Sequence, residues 1–327
     1  MGLNFFIGLL ILLLSLVIDF LISDPSPNTP WTLRYKLHPT VWMGKLTYRL
    51  KTVLKNPNSK IEKFNGVVLA LIVLISFTVP TYLILKLLKE YFTMIVYIIV
   101  AALILKMTIC IKLETEWAYE VSNAIKNDDL VEARKYAHFS RRDSSNLDGP
   151  QIASSVIESM AENLADFRLS PLFYYGAFGT AGAVAYRAIN TLDGVIGFKD
   201  LEHINIGWFS ASLDTIVNYI PTRIAALLII LASAILGQDY RRAWKIALRD
   251  RKSVPSRNHG WTMAAMAGAL NVRLEKPGHY VINDGSMMPS HLDIIRALRI
   301  RNMVTILFII LVVVPLLYLS TSLQCLM

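Results

Sequence analysis

The chain has 327 residues, of which 54% are hydrophobic and 17% are charged. This composition is typical of a polytopic membrane protein and excludes a soluble binding module. The formal charge of +9 comes from Lys and Arg gathered between apolar segments, so the sequence does not predict a nucleic-acid-binding protein.

Four apolar segments are long enough, or nearly so, to cross about 30 Å of hydrocarbon as helices. These predicted spans are residues 2–22, 66–88, 91–111 and 303–319. The first has no basic N-terminal region and no small-residue cleavage site, so we expect a membrane anchor rather than a signal peptide. The second and third predict a hairpin with a very short connection.

Two further apolar segments do not fit this description as well. The segment 224–236 is short, and its length is more typical of a buried or re-entrant helix than of a membrane span. Residues 171–189 carry Gly176, Gly179 and Gly182, a spacing that favours close helix packing.

Charge indicates which side of the membrane each segment faces. Lys and Arg are concentrated in residues 23–65 and 237–302, which the positive-inside rule places in the cytoplasm. With four spans, the whole polar region 112–302 lies on that side. If both doubtful segments also cross, the polar groups of residues 190–193 and 210–214 move to the outer face instead.

The sequence therefore predicts an all-α polytopic membrane protein. We expect about four transmembrane helices, with re-entrant or buried helices around a polar site on the cytoplasmic side. Residues 1–327 would form a single integral-membrane domain, and residues 112–302 would be its polar catalytic region.

A predicted helix that follows Pro150 carries an acidic stripe. Glu158, Glu162 and Asp166 stand at i, i+4 and i+8, where like charges repel by about 0.2–0.5 kcal/mol per pair. Either the face is solvated or a cation compensates it, and Mg²⁺ bearing a substrate phosphate suits such carboxylates. Arginines are the other candidates for the compensating cation: Arg141, Arg142 and Arg187.

A second stripe has the same spacing. Ser210, Asp214 and Asn218 stand at i, i+4 and i+8, and Pro221 leaves the carbonyl four residues before it without its helical donor. Arg223 opens the apolar segment that follows. It either snorkels toward the interface or binds a phosphate or carboxylate.

Other polar residues have both structural and functional interpretations. Asn190 and Asp193 either end one helix and cap the next or take part in the site. His38 precedes a proline, a position that is usually structural, and has no neighbouring ligand for zinc. Ser140 and Asp143 have the spacing of a capping box, with a Ser/Asp catalytic pair as the alternative.

Seven motifs follow one another between residues 19 and 280. They are Asp19…Asp24-Pro25, HPTVWMGKL from His38, SRRDSSNLD from Ser140, ESMAENLADFRLSPLFYYGAFG from Glu158, AYRAINTLDGVIGF from Ala185, GWFSASLDTIVNYIPTR from Gly207 and NHGWTMAAMAGALNVRL from Asn258. In this order they resemble the adenosylcobinamide-phosphate synthase (CbiB/CobD) family of cobalamin biosynthesis.

The chain departs from the family pattern at four positions. Leu164 replaces a common Thr, Phe167 replaces a common Gly, and Arg257 replaces a Pro. Thr215 replaces the second of two adjacent aspartates. Any metal site built on those aspartates would have to use fewer carboxylates here, with help from Asp193 or Asn218.

The resemblance implies an ATP-dependent ligase. A carboxylate of adenosylcobyric acid, the corrinoid substrate, would be joined to the amine of aminopropanol or aminopropanol phosphate. ATP and Mg²⁺ are the implied cofactors, because a carboxylate is a poor electrophile and phosphoryl transfer depends on charge neutralisation.

The resemblance also suggests roles for individual residues. The expected catalytic residues are Glu158, Glu162, Asp193 and Asp214. The last three of these are the expected Mg²⁺ ligands: Glu162, Asp193 and Asp214. The expected substrate-binding residues are Arg141, Arg142, Asp143, Asn163, Asn190, Asn218, Arg223, His38 and Asn258.

The expected location is the cell membrane, with several membrane crossings and the site facing the cytoplasm. Membrane lipid and the two small-molecule substrates are the expected partners, and a homo-oligomer or an association with other enzymes of the cobalamin pathway is compatible with the sequence. The alternative is a non-enzymatic membrane signalling or transport component. In that case the carboxylates would line a path through the bilayer instead of converging on one pocket.

Overall fold

The protein is built almost entirely of α-helices. A computed structural model describes residues 2–137 and 143–323. Within these ranges the helices and strands are α1 Gly2–Leu21, α2 Leu33–Leu37, α3 Pro39–Leu54, α4 Ser59–Tyr91, α5 Met94–Lys106, α6 Lys112–Lys126, α7 Leu130–Ala137, α8 Gly149–Leu164, α9 Ser170–Ile196, α10 Trp208–Val217, α11 Tyr219–Ile235, α12 Tyr240–Asp250, α13 His259–Leu270, β1 Leu274–Lys276, β2 Tyr280–Ile282, α14 His291–Phe308 and α15 Val314–Leu323. Two π-helical turns, Ala165–Leu169 and Ile309–Val313, follow α8 and α14.

The chain folds into two compact units. The first comprises Met1–Ile111, Ser170–Val217 and Val312–Met327, and the second comprises Lys112–Leu169 and Asn218–Leu311. The predicted polar region therefore contributes to both units, because its middle part belongs to the first. The prediction of a single domain stays a prediction.

Length and composition identify three helical stretches that can cross a membrane. They are Gly2–Leu21, Ser59–Tyr91 and His291–Leu323, and they contain the predicted spans 2–22 (to within a residue), 66–88 and 303–319. The prediction of an all-α polytopic membrane protein is thereby confirmed.

The predicted span 91–111 is wrong in its extent. The helix there, Met94–Lys106, has 13 residues. At about 1.5 Å per residue it is roughly 20 Å long, shorter than the hydrocarbon core. The predicted hairpin is present, since only Phe92 and Thr93 separate α4 from α5, which pack together.

The two apolar segments that the sequence does not assign clearly to spans, 171–189 and 224–236, fall within the helices α9 and α11 or end at their boundaries. The helix α11 extends the apolar segment 224–236 to 17 residues. Together with α10, from which a break at Asn218 separates it, it forms a bent pair of apolar helices that is either a broken fourth span or a re-entrant loop. The helix α9 is interrupted at Gly179, whose φ of 70° is open to glycine at little cost.

The three glycines of α9 for which the sequence predicts close packing, Gly176, Gly179 and Gly182, do not all serve it. A Cβ added to Gly176 would lie 3.0 Å from the Leu316 Cβ, as the sequence predicts for a close helix contact. Gly179 has no atom within 4 Å of such a Cβ, so its role is to break the helix.

The core of the first unit lies where α4 packs against α9 and α3. Leu69 and Val73 of α4 meet Leu192 and Ile196 of α9 in a fully buried apolar cluster. Gly66 permits a close approach of α4 to the segment before α10, because a Cβ there would lie 2.2 Å from the Ile206 carbonyl oxygen.

The second unit is built around α13, whose residues are almost all buried against α11 and α12. Within this unit, α8 begins as the sequence predicts. Asp148 caps it in a capping box with Gln151, and Pro150 occupies the first turn. These contacts fix the start of the helix that carries the acidic stripe.

Candidate functional site

The acidic stripe of the second unit does not continue along one straight helix. α8 ends at Leu164, and Asp166 falls in the following π-helical turn. A π-helical turn holds more residues than an α-turn, so the predicted i, i+8 alignment of Asp166 with Glu158 is wrong. Single π-turns of this kind occur often at functional sites.

Glu158 is buried in a hydroxyl pocket. The Ser154 hydroxyl donates to its Oε1 at 2.8 Å, and the Tyr280 hydroxyl donates to its Oε2 at 2.7 Å. Ser154 also accepts from the Glu275 backbone N–H at 2.8 Å. Because Glu275 and Tyr280 belong to the β-hairpin, the predicted catalytic carboxylate anchors that hairpin to α8.

Asp166 faces a histidine. Its Oδ2 lies 3.2 Å from Nε2 of His259, the first residue of α13. Asp166 is buried, and the His259 side chain is about one-fifth exposed at 21%. A carboxylate next to an imidazole orients the ring and stabilises its protonated form.

Asn258, next to this histidine, accepts a hydrogen bond from the Arg223 guanidinium through its Oδ1. Arg223 Nη1 also donates to the Tyr219 carbonyl at 2.9 Å, and its guanidinium stacks 3.7 Å from the Tyr219 ring centroid. Arg223 is thus held in one orientation, with Asn258 bridging it to the α13 N-terminus.

Three separate motifs therefore converge in the second unit. Asp166 comes from ESMAENLADF, Arg223 from IPTR, and Asn258 and His259 from NHGW. We call Asp166, Arg223, Asn258 and His259 the α13 cluster. Arg223 and Asn258 are among the binding residues that the sequence predicts, whereas His259 is not, although it stands beside Asn258 in the same motif.

The other candidates of this unit have different surroundings. Glu162 and Asn163 are half-buried near the end of α8, and Asn218 is fully buried where α11 begins. Asp143 is exposed, and hydrogen bonds from Ser145 hold its pKa below the ordinary value. Arg141 and Arg142 lie outside the described residues, as does Ser140 of the predicted capping box.

The second unit also contains a buried ionic group that the sequence does not predict. Arg168 and Arg301 are fully buried, and each has a guanidinium nitrogen within about 3.6 Å of Glu114 Oε2. Arg301 donates to the Thr115 hydroxyl at 2.8 Å. Buried charges that are paired and hydrogen-bonded in this way hold α6, α14 and the π-turn in register.

In the first unit, Asp214 belongs to a short hydrogen-bonded chain. Arg187 Nη1 donates to Asn190 Oδ1 at 3.1 Å, and Asn190 Nδ2 donates to Asp214 Oδ1 at 3.5 Å. One turn before Asp214, the fully buried Ser210 hydroxyl has no hydrogen-bond partner among the described residues. We call Arg187, Asn190, Ser210 and Asp214 the α9–α10 cluster.

Two predictions about this region are corrected. Asn190 and Asp193 do not end one helix and cap another, because α9 continues to Ile196. Asn218 does not continue the α10 stripe, because α10 ends at Val217. Asp193 is half-buried, and its Oδ1 would lie 2.0 Å from a Cβ added to Gly197, so the glycine makes room for the carboxylate.

The carbonyl of Val217, which the sequence predicts to lack its helical donor, has a side-chain donor instead. The Tyr174 hydroxyl donates to it at 3.0 Å. Tyr174 stacks on Tyr186 with centroids 5.5 Å apart, and both rings line an apolar cavity of about 470 Å³ between α4 and α9.

The N-terminal motifs meet in a third group, also in the first unit. Lys106 forms ion pairs with Asp24 and, at 3.5 Å, with Asp19. His38 lies with its Nε2 3.6 Å from Asp24 Oδ1 and shares a hydrogen bond with Thr40. Burial alone would raise the pKa of Asp24, but the neighbouring His38 and Lys106 hold it below the ordinary value.

The arrangement of the described side chains does not test the predicted Mg²⁺ site. Within residues 2–137 and 143–323, no group of three or more His, Cys, Asp or Glu side chains has an arrangement that could hold a metal ion. Mg²⁺ commonly uses only one or two protein carboxylates, with water and substrate phosphate completing its shell. The Mg²⁺ ligands therefore stay a prediction.

Comparison with known proteins covers nearly the whole chain. A family model described as CobD/Cbib protein matches residues 12–319. The “Probable cobalamin biosynthesis protein CobD” of Methanothermobacter thermautotrophicus is 37% identical over 298 residues, which cover 91% of this chain and 94% of that protein. No solved structure matches the chain significantly.

Similar relatives occur in other organisms. A protein of the same name from Thermoplasma volcanium is 34% identical over 310 residues, covering 94% of this chain and 97% of its own. The cobalamin biosynthesis protein CobD of Dehalococcoides mccartyi is 35% identical over 277 residues, covering 84% of this chain and 87% of its own.

Proposed function

The chain belongs to the CobD/Cbib family of cobalamin biosynthesis proteins, and on this premise we propose that it is a membrane-bound, ATP-dependent acid–amine ligase. Its substrates are adenosylcobyric acid and aminopropanol or aminopropanol phosphate. The product is the amide, adenosylcobinamide or its phosphate. The basic segments support a site that faces the cytoplasm.

The observation that carries this proposal is the α13 cluster. An amide synthase needs a base for the attacking amine and a cation for the anionic substrate groups. Asp166 with His259 provides a candidate for the first, and Arg223 with Asn258 a candidate for the second. These residues come from distant parts of the sequence, and the fold of one unit brings them together.

His259 is suited to the proton-transfer step. An amino alcohol is protonated at neutral pH and must lose a proton before its nitrogen can attack the acyl carbon. The imidazole accepts that proton, and the Asp166 carboxylate stabilises the resulting imidazolium.

Arg223 is suited to anion binding. Its guanidinium is oriented by the Tyr219 carbonyl and by Asn258, so little side-chain freedom remains to be lost when an anion binds. Guanidinium groups bind carboxylate and phosphate oxygens through two parallel hydrogen bonds. We therefore assign Arg223 to the carboxylate or phosphate of a substrate.

The α9–α10 cluster fits the implied metal in its chemistry. Asp214 contributes a carboxylate, and the buried Ser210 hydroxyl has no hydrogen-bond partner within the described ranges. A single carboxylate is enough for Mg²⁺ when substrate phosphate supplies other oxygens. When bound, ATP and Mg²⁺ would supply the phosphoryl group that activates the carboxylate and the charge that neutralises it.

The proposal is tested with purified, detergent-solubilised protein. We expect adenosylcobyric acid, ATP, Mg²⁺ and aminopropanol phosphate to give an ATP-dependent amide product detectable by mass spectrometry. Replacing the phosphate ester by aminopropanol determines which amine is used. A matched sample of the Asp166→Asn variant provides the comparison for the α13 cluster.

Folding is checked first by gel filtration and circular dichroism. If the folded wild-type protein forms no amide with either amine, the ligase proposal is wrong, and a non-enzymatic membrane role becomes the working hypothesis. If amide forms but Asp166→Asn has normal turnover, the proposed ligase activity is correct and its assignment to the α13 cluster is wrong.

A further inference from the structure

The helix α12 has two apolar faces. One is buried against α13 and α11 and includes Ala243 and Ala247. The other is an exposed stripe at i, i+4 and i+8, in which Tyr240, Trp244 and Leu248 are 42%, 48% and 44% exposed. A contiguous exposed stripe of aromatic and aliphatic side chains is typical of a surface that contacts a membrane or another molecule.

Basic side chains border the exposed stripe. Arg241 and Lys245 are exposed, each one residue after a stripe aromatic, and Lys252 is exposed just beyond the helix. The acidic residue at the helix end, Asp250, is turned to Arg249 and the Asn283 backbone, with which it makes close hydrogen bonds. At the start of α12 the exposed Asp239 accepts a hydrogen bond from the Arg242 backbone N–H and caps the helix. Basic side chains therefore outnumber acidic ones along the border of the stripe.

A groove lies beside this stripe, between α12 and the apolar helix α11. It has a volume of about 160 Å³ and is lined by Leu227 and Ile230 of α11 and by Trp244 and Leu248 of α12. An apolar cavity of about 150 Å³ can hold a benzene-sized molecule. The groove can therefore hold a short part of one acyl chain.

We propose that α12 and this groove form a binding site for an anionic phospholipid. The acyl chain lies along the groove, Trp244 and Tyr240 lie at the headgroup level, and Arg241 and Lys245 contact the headgroup phosphate. Aromatic residues with bordering Lys and Arg are typical of helices in the membrane interface. The cytoplasmic leaflet, which the basic segment 237–302 faces by the positive-inside rule, is the anionic one.

Charge complementarity favours a lipid as the occupant. A zwitterionic lipid would satisfy the apolar stripe but would leave the two border cations without an excess of negative charge. Arg223 of the α13 cluster also lines the groove, but the border residues Arg241 and Lys245 belong to neither the α13 cluster nor the α9–α10 cluster. A protein partner on the stripe is the competing occupant.

The test uses the full chain in nanodiscs of phosphatidylcholine with phosphatidylglycerol added. In one set the phosphatidylcholine carries bromine near the glycerol, and in the other the phosphatidylglycerol does. Bromine quenches tryptophan fluorescence only on contact, and the difference between wild type and Trp244→Phe isolates the Trp244 signal. We expect brominated phosphatidylglycerol to quench Trp244 more strongly at equal mole fraction.

The charge border is tested by the double variant Arg241→Gln/Lys245→Gln. Each basic group near an anionic surface strengthens binding about fivefold, so the double variant should lose the preference for phosphatidylglycerol. The matched control is Lys126→Gln/Lys135→Gln, which removes two exposed lysines from α6 and α7. This control should keep the preference for phosphatidylglycerol.

Three results would overturn the proposal. Equal quenching by both lipids means that the site does not select anionic lipid. A preference that survives in the Arg241→Gln/Lys245→Gln variant means that the border charges do not cause it. No quenching of Trp244 by either lipid means that the stripe does not contact lipid.

Discussion

Asp166 Oδ2 lies 3.2 Å from His259 Nε2, although 93 positions separate the two residues in the chain. The contact depends on the π-helical turn that places Asp166 and on the start of α13 that places His259. Because Asn258 links the same helix start to Arg223, the pair belongs to a cluster with both a proton acceptor and a guanidinium.

The first prediction concerns His259. If its imidazole removes the proton from the amine, His259→Ala should lower kcat by about 100-fold or more, with a smaller change in KM. The remaining activity should rise with pH as more amine is deprotonated in solution. Steady-state kinetics across the neutral and alkaline range measure both effects.

The matched control is His279→Ala, since His279 is exposed at the tip of the β-hairpin. It should have wild-type kinetics. A His259→Ala protein that folds normally and has the wild-type pH profile would show that the imidazole does not transfer the proton.

The second prediction concerns Asp214 and the missing neighbouring aspartate. Asp214→Asn keeps the shape and a hydrogen-bonding oxygen but removes the charge, so we expect the Mg²⁺ concentration for half-maximal rate to rise at least about tenfold. Thr215→Asp restores the paired carboxylates of the family pattern and should lower the Mg²⁺ concentration needed for half-maximal rate. Thr215→Asn is the neutral control for the second change.

Rates measured over a Mg²⁺ titration at saturating ATP test whether Asp214 binds the metal. If Asp214→Asn lowers the maximal rate but leaves the Mg²⁺ dependence unchanged, the carboxylate has a role other than metal binding.

The sequence predicted those features that depend on local patterns. Apolar length predicted three of the spans, and Pro150 predicted the first turn of α8. The extent of α5 was missed because Met107–Ile111 is apolar without being helical, so hydropathy overestimated the helix. Apolar composition does not determine where a helix ends.

The candidate site was predicted less completely, because its contacts join distant segments. The acidic stripe assumed a regular α-helix through Asp166, and the π-turn cannot be read from residue spacing. Hydroxyl donors for Glu158 come from Ser154 and, 122 positions away, from Tyr280. Such partners are set by tertiary packing, and residue type alone does not reveal them.

The third prediction separates a structural role of Glu158 from a catalytic one. Tyr280→Phe removes the hydroxyl that donates to Glu158 Oε2 and leaves a buried carboxylate one hydrogen bond short. The free energy of unfolding should fall by about 1–3 kcal/mol. Tyr119→Phe, at an exposed tyrosine of α6, is the control and should change it by less than about 0.5 kcal/mol.

Thermal unfolding in detergent measures the two variants side by side. Turnover per folded Tyr280→Phe molecule should stay near the wild-type value if Glu158 only anchors the hairpin. A large loss of turnover without a loss of stability would instead support the catalytic role that the sequence predicts for Glu158.

The fourth prediction uses two glycines inside helices of the first unit. A Cβ at Gly66 would lie 2.2 Å from the Ile206 carbonyl oxygen, whereas a Cβ at Gly44 would meet nothing closer than 3.8 Å. Gly66→Ala should destabilise the protein by about 1–3 kcal/mol through overpacking. Gly44→Ala should stabilise it by up to about 1 kcal/mol, the gain in helix propensity.

Opposite shifts of the unfolding midpoint for these two Gly→Ala changes are the expected result. If Gly66→Ala stabilised the protein as Gly44→Ala does, α4 would not lie as close to the segment before α10 as the structure has it.

The last prediction is a pH dependence in the second unit. Partial burial acts to raise the pKa of Asp250, but hydrogen bonds from Arg249 and from the Asn283 backbone N–H outweigh it and hold the pKa below the ordinary value. A lowered folded-state pKa means that the ionised carboxylate stabilises the folded protein. That contribution is complete above the unfolded-state pKa of about 3.9 and is lost as pH falls through the folded-state value.

Asp250→Asn should therefore be less stable than wild type at neutral pH, and the difference should shrink as the pH falls below about 4. Asp284→Asn, at the exposed aspartate that follows Asn283, is the control for general charge effects. Unfolding midpoints measured over this pH range check the sign. A difference that stayed constant down to acid pH would mean that Asp250 acts through its shape and neutral hydrogen bonds, because a charged interaction must vanish when the carboxylate is protonated.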